Sequence, residues 1–257
     1  MSSRLLRGGL LVDQEKALEF SFDGKRYFGF KGDTLASALL ANNETLVGRS
    51  FKYHRPRGIV ASGVEEPNAL VGLGKGKSFE PNQRATTVEL FDNLSAVSQN
   101  NWPNLRFDIG SINSFFSPLF STGFYYKTFI HPRSAWKHLF EPLIRAAAGL
   151  GRSPTYVDKD RYEHFYCHVD VLIVGGGVSG LTAAYQSGVS GATTLLLEQA
   201  PYVGGRALVD EEEVDSKSTQ KWTEEILSLL NKMDNVTVKK RTMASGVYDH
   251  GLSLIHI

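Results

Sequence analysis

The chain has 257 residues, 42% of them hydrophobic, which bounds it to one large domain or two ordinary ones around a sizeable packed core. Its 28 basic and 27 acidic side chains nearly cancel, so composition gives no electrostatic ground for nucleic acid or an anionic membrane as the main partner. Cys167 is the only cysteine, which excludes an internal disulfide, an iron-sulfur cluster on four cysteines and any CxxC redox or zinc motif, and suits a reducing cytoplasm.

Met1 to Asp13 sets Arg4 and Arg7 beside a short apolar stretch, without the sustained hydrophobic core or cleavage site of a secretory signal. Leu18, Phe20 and Phe22 then alternate with polar residues, Asp23-Gly24 supplies a tight turn, and Tyr27, Phe28 and Phe30 follow: a β-hairpin. Asp33 is placed to N-cap a helix over Thr34 to Ala41, where Leu35, Ala38, Leu39 and Leu40 have helical spacing. With a late strand expected at Thr86 to Phe91, these elements form a small α+β domain over 17–100. The segment 101–164 is rich in aromatics, among them Trp102, Phe115, Phe116, Phe120, Phe124, Tyr125, Tyr126, Phe129 and Trp136. A flexible tether is poor in aromatics, so this segment is expected to pack, either between domains or against another subunit.

From Val169 the pattern changes. Val169, Val171, Leu172, Ile173 and Val174 form a buried-type strand, a glycine-rich turn and an alanine-bearing helix follow, and a second strand over Thr193 to Leu197 ends at Glu198: a βαβ unit. Glycine, serine, threonine and glutamine interrupt this stretch too often for a membrane span. Ser216 to Asn231 reads as an amphipathic helix through Trp222, Ile226, Leu229 and Leu230, and Val236 to Val238 as another strand.

Gly175-Gly176-Gly177-Val178-Ser179-Gly180 contains G-x-G-x-x-G where a strand exits and a helix begins, the context that a dinucleotide fingerprint requires. Gly175 permits the tight turn, Gly177 lets bare backbone approach a pyrophosphate, and Gly180 lets the helix lie close on the strand. The helix end at Val178 and Ser179 offers free amides and a positive dipole to the phosphates. Glu198 closes the second strand, where a carboxylate accepts both adenosine ribose hydroxyls and repels a 2′-phosphate. Gln199 follows rather than an arginine, so NAD or FAD is expected in preference to NADP. Gly204-Gly205-Arg206 resembles the second fingerprint of flavin-dependent amine oxidases: Gly205 would bring this loop near the pyrophosphate, and Arg206 either adds positive charge there or is a surface arginine.

Arg49 to Gly58 carries Arg49, Lys52, His54, Arg55 and Arg57 with two aromatics and reads as an exposed or interface loop, since one patch in a neutral chain is not a nucleic-acid footprint. His54 has no second ligand at metal spacing nearby; His131, His138, His164 and His168 are scattered; and no nucleophile, base and acid stand in a catalytic arrangement. No catalytic residue and no metal ligand is therefore assigned.

With these motifs in place, the chain resembles the N-terminal part of the alpha subunits of heterotetrameric sarcosine oxidases. The likeness is carried by Gly32 to Asn42, Gly48 to Ile59, Glu65 to Val71, Gly123 to Phe129 and the fingerprint. It implies a ferredoxin-like β-grasp domain without cluster over 17–100, a connecting segment over 101–164 and a truncated Rossmann domain over 165–257: α+β, then α/β. It also implies NAD, with FAD as the alternative, on Gly175, Gly177, Gly180 and Glu198, and Val178, Ser179, Gln199, Gly205 and Arg206 complete the expected cofactor-binding set. Beta, gamma and delta subunits are implied as partners, with FAD and FMN expected with the beta subunit. Tetrahydrofolate would sit in a C-terminal alpha region beyond Ile257, so the end of the chain is expected to be a truncation or a sequence-assembly scar. A cytoplasmic oxidase fragment, inactive alone, is the reading. Its competitors are the alpha-type subunit of another flavin-dependent amino-acid or opine dehydrogenase, and a scaffold with a structural dinucleotide.

Overall fold

The computed structural model describes residues 3–5, 9–120, 122–127, 129, 131–154, 156–157, 160–209 and 213–256. Of the residues singled out above, Met1, Arg7, Thr128 and Ile257, and the side chains of Tyr125 and Tyr126, lie outside it. The chain divides into two units, Met1–Asp160 and Arg161–Ile257. No described helix is long and apolar enough to cross a membrane.

The first unit is built on β1 (Asp13–Phe22) and β2 (Lys25–Lys31), which pair antiparallel about Asp23 and Gly24, at φ 49° and 79°. Both turn residues are in the left-handed region, as a two-residue turn matched to strand twist demands. Alternation places Phe20 and Phe22 inward, and Phe20 stacks on its cross-strand neighbour Tyr27 at 5.6 Å between ring centres. Helix α1 (Leu35–Ala41) lays Leu35, Ala38 and Leu39 on this core. Three further strands, β3 (Leu70–Leu73), β4 (Glu80–Arg84) and β5 (Leu94–Ser98), complete a sheet ordered β2-β1-β5-β3-β4. The β1–β5 pairing at its centre is parallel and the others are antiparallel.

Two expectations fail here for the same reason, the demands of the helix N-terminus. Thr34, not Asp33, is the N-cap: its side chain accepts from the Ser37 amide while Ser37 Oγ accepts from the Thr34 amide. Asp33 instead binds the Arg4 guanidinium, the Phe30 amide and Ser37 Oγ. Thr86 to Phe91 forms no strand apart from a single bridge between Glu89 and Thr34. The adjacent carbonyls of Ala85 and Val88 accept from the Ala36 and Leu35 amides, satisfying helix donors that have no intrahelical partner.

Glu66, 1% exposed, fixes the loop that leads into β3. Its Oε2 accepts from the Val60 and Ala61 amides and its Oε1 from Asn68. Burial pushes the carboxyl pKa up, but the amides of Ala61, Asn68, Val60 and Ala69 outweigh it and hold the group below the usual glutamate range. A folded value below the unfolded one means stability that is full above the unfolded pKa and is lost as pH falls through the folded one. Glu66→Gln is expected to cost about 1 to 3 kcal/mol in denaturant melts at neutral pH, because an amide NH2 must face a backbone N–H. The gap should narrow as the wild type is taken below the ordinary glutamate range; a constant gap would contradict the assignment.

In the 101–164 segment, the rings of Phe120, Phe124, Phe129 and Phe140 form a chain of contacts 5.1 to 5.9 Å apart, while Trp102, Phe107, Phe115 and Phe116 are exposed. The segment also contains the helix α2 (Glu141–Ala147).

The second unit alternates strand and helix: β6 (Val171–Val174), α3 (Val178–Val189), β7 (Thr194–Glu198), α4 (Thr219–Leu230) and β8 (Val236–Lys240). The strands form a parallel sheet ordered β8-β7-β6. Two right-handed crossovers stepping in one direction put both helices on the same face. There Leu181 and Ala184 of α3 meet Trp222, Ile226 and Leu230 of α4 over Leu196 and Val236. Helix α4 starts three residues later than expected, because Asp215 and Ser216 take left-handed turn conformations between two short paired segments and Ser218 becomes the N-cap. Central β7 is wholly buried; edge β6 is half-buried, with Val174 exposed, and no described strand pairs on its outer side. A hairpin of β9 (Met243–Val247) and β10 (Ser253–His256) follows.

Candidate dinucleotide-binding site

The site is the turn from β6 into α3. Gly175 leaves the strand at φ 103°, a conformation closed to most side chains, and its amide still donates to Leu197 O at 2.8 Å. Gly177 is the N-cap of α3 in extended backbone, and a methyl group added there would meet no protein atom within 4 Å. Gly180 is the opposite case: a methyl group would stand 1.9 Å from Gly175 O, so helix and strand approach as closely as bare backbone allows. Open space over Gly177 and close packing under Gly180 are what a helix N-terminus needs to receive a pyrophosphate, with Val178 and Ser179 in the first turn.

Glu198 is 8% exposed at the end of β7 and faces this turn. Its Oε2 accepts from the Gly176 amide at 2.7 Å and its Oε1 from the Ala200 amide at 2.8 Å. Each oxygen keeps a second lone pair, so the carboxylate can hold the turn and still accept two ribose hydroxyls. Gly204 N donates to Gly176 O at 2.7 Å, and a methyl group on Gly205 would lie 3.1 Å from Gly177 Cα. The Gly-Gly-Arg segment is thus docked on the first glycine loop.

The structure brings Gly175, Gly177, Val178, Ser179, Gly180, Glu198 and Gly205 together; Gln199 and Arg206 are exposed. Two partners of Glu198, the amides of Gly176 and Ala200, have no side-chain signal and were not foreseen. In the first unit, the loop expected to be exposed or at an interface keeps Phe51, Arg55 and Arg57 exposed but turns two of its basic side chains inward. Arg49 donates to Leu105 O, Arg106 O and His54 O, and His54, 9% exposed, pairs with Asp108. That pair joins residues 54 positions apart, which spacing alone does not reveal.

The two units match two families. Residues 15–101 match the family described as a 2Fe-2S iron-sulfur cluster binding domain, and residues 170–248 match FAD dependent oxidoreductases. A ferredoxin-type cluster is held by four cysteine thiolates, whereas residues 15–101 contain none, so the residues present do not fit that cluster. Over nearly its whole length the chain is similar to curated proteins named sarcosine oxidase subunit alpha. It is 49% identical over 97% of its length to "Sarcosine oxidase subunit alpha" of Rhizobium meliloti (strain 1021), and 30% identical over 94% to that of Corynebacterium sp. (strain U-96). It spans 25% and 20% of the length of these relatives. The L-proline dehydrogenase of P. horikoshii shares the fold, with a TM-score of 0.55 at 21% identity, over 93% of this chain and 36% of that one.

Proposed function

We propose that this chain is the dinucleotide-binding part of the alpha subunit of a sarcosine oxidase-like flavoenzyme, with a Rossmann unit that holds the ADP half of NAD. The observation that carries the reading is Glu198, fixed beside a glycine turn that is open over Gly177. The pyrophosphate lies against the first turn of α3, bound by the backbone of Gly177, Val178 and Ser179, with Gly205 closing the far side. Glu198 accepts the two ribose hydroxyls, and its charge disfavours a 2′-phosphate. A second reading, FAD in the same cradle, is favoured by the match of residues 170–248 to FAD dependent oxidoreductases. Both cofactors carry the same ADP moiety, so the residue roles are unchanged.

The first unit is read as a β-grasp domain whose cluster has been lost. With no acid, base or nucleophile assigned in either unit, the chain's work is to bind and position. Oxidation of a secondary amine belongs to flavins, FAD and FMN, expected with a beta subunit; gamma and delta subunits complete the assembly, and tetrahydrofolate binding lies outside these residues. The single exposed cysteine suits a cytoplasmic setting.

Edge strand β6, which leads into the glycine turn, is only half-buried and pairs on its outer side with no described strand, so the cradle is expected to hold a ligand weakly in the chain alone. The chain alone is expected to bind NAD with a dissociation constant no tighter than about 100 μM, roughly 5.5 kcal/mol, by isothermal titration. The assembled oxidase should retain nucleotide through purification, to be released by denaturation and identified by mass. Absence of any ADP-containing nucleotide from the assembled, active enzyme would overturn the proposal; FAD in place of NAD would select the second reading.

A further inference from the structure

His54 stands in an unusual position for a merely structural histidine. Its backbone is left-handed, at φ 52°, a conformation that costs a non-glycine residue free energy and persists where surrounding contacts enforce it. Those contacts are present: its amide donates to Ser50 O, its carbonyl accepts from Arg49, and its ring lies on Gly110, where a methyl group would come within 2.3 Å of Nδ1. Nδ1 lies 2.6 Å from Asp108 Oδ2. A carboxylate only accepts, so Nδ1 carries the proton and the ring is fixed in one orientation. Asp108 Oδ1 accepts from the Trp102 and Gly110 amides, so both oxygens of the carboxylate are engaged in holding the ring and the loop.

His54 Nε2 forms no hydrogen bond among the described residues, and the ring borders a cleft of about 500 Å³ within the first unit. Arg152, on the same cleft, is exposed and has no carboxylate partner among the described residues. The exposed side chains of Trp102, Ile109 and Leu150 also line the cleft. Among the described residues, Asp108 is the only carboxylate lining the cleft. Once Nε2 also carries a proton, the imidazole held on Asp108 joins the Arg152 guanidinium and the Trp102 indole N–H as donors for one kind of ligand, an oxyanion.

We propose that this cleft binds a small oxyanion, a carboxylate or phosphate group, anchored by His54 Nε2 and Arg152 with the hydrocarbon part against Ile109 and Leu150. A guanidinium, and an imidazole that takes up a second proton with the anion, give charge-assisted bonds about twice as strong as neutral ones, with Asp108 as the counter-charge. This site is independent of the dinucleotide cradle.

The test is carbethoxylation of His54 in the full chain by diethyl pyrocarbonate, followed by peptide mass spectrometry, with exposed His138 and His164 as internal references. His54 is expected to react, and inorganic phosphate or propionate at ten times its dissociation constant should slow the reaction about tenfold relative to the references. Whichever anion protects at lower concentration identifies phosphate or carboxylate as the ligand group. Arg152→Gln should remove most of the protection, measured against each variant's own unprotected rate. Failure of both anions to protect, protection that survives Arg152→Gln, or a His54 that is inert without anions would each overturn the proposal.

Discussion

Gly180→Ala is expected to destabilise the second unit by about 2 to 3 kcal/mol, whereas Gly177→Ala should leave stability within about 1 kcal/mol and weaken dinucleotide binding. The same methyl group meets opposite surroundings at the two positions. At Gly180 it would lie 1.9 Å from the carbonyl oxygen of Gly175, which is backbone and cannot swing aside, so α3 must lift from the strand. At Gly177 φ is −72° and no atom lies within 4 Å, so the protein accommodates the methyl group and only a ligand against the helix end would meet it. Thermal melts should show a loss of roughly 8 to 24 °C in the transition of the second unit for Gly180→Ala. Titration should show at least roughly tenfold weaker binding for Gly177→Ala, about 1.4 kcal/mol. Equal melting losses in the two variants, or unchanged affinity in Gly177→Ala, would show that the loop is only a turn.

Glu198→Gln is expected to weaken NAD binding by roughly 10- to 150-fold, the loss of one hydrogen bond to a charged acceptor worth about 1.5 to 3 kcal/mol. Both carboxylate oxygens already hold a backbone amide, Gly176 on one side and Ala200 on the other. An amide side chain must therefore turn its NH2 toward one N–H, with a further loss of stability of about 1 to 3 kcal/mol. Stability alone does not separate a ribose ligand from a structural clamp. Discrimination does: without the negative charge, the preference for NAD over NADP should fall, a change that a residue confined to holding the turn would not produce. An unaltered NAD to NADP ratio would assign Glu198 to the turn alone.

The second unit was largely legible because its information is local. Strand, glycine turn, helix and terminal acid follow one another within a short stretch, and each has a backbone reason for its residue type. Gly175, Gly177, Gly180 and Glu198 accordingly lie together, with the helix starting at Val178. What escaped notice depended on groups that every residue carries: the amides of Gly176 and Ala200 on Glu198, and the Gly204 amide on Gly176 O. The first unit was less legible. Its hairpin follows from alternation and Asp23-Gly24, but Thr86 to Phe91, apolar enough for a strand, lies where neighbouring carbonyls serve the α1 amides. Leu94–Ser98, short and polar in part, takes the central place instead. The basic loop misled for a third reason, since Arg49 is consumed by backbone carbonyls and His54 by a carboxylate remote in sequence.

Backbone-amide NMR of the labelled chain, titrated with ADP-ribose, shows directly where the ADP half binds. The account predicts the largest shifts at Gly177, Val178, Ser179 and Gly205, with Gly176 and Ala200 responding through Glu198, and their loss in Gly177→Ala. Shifts confined to other residues, or none at millimolar ligand, would contradict it.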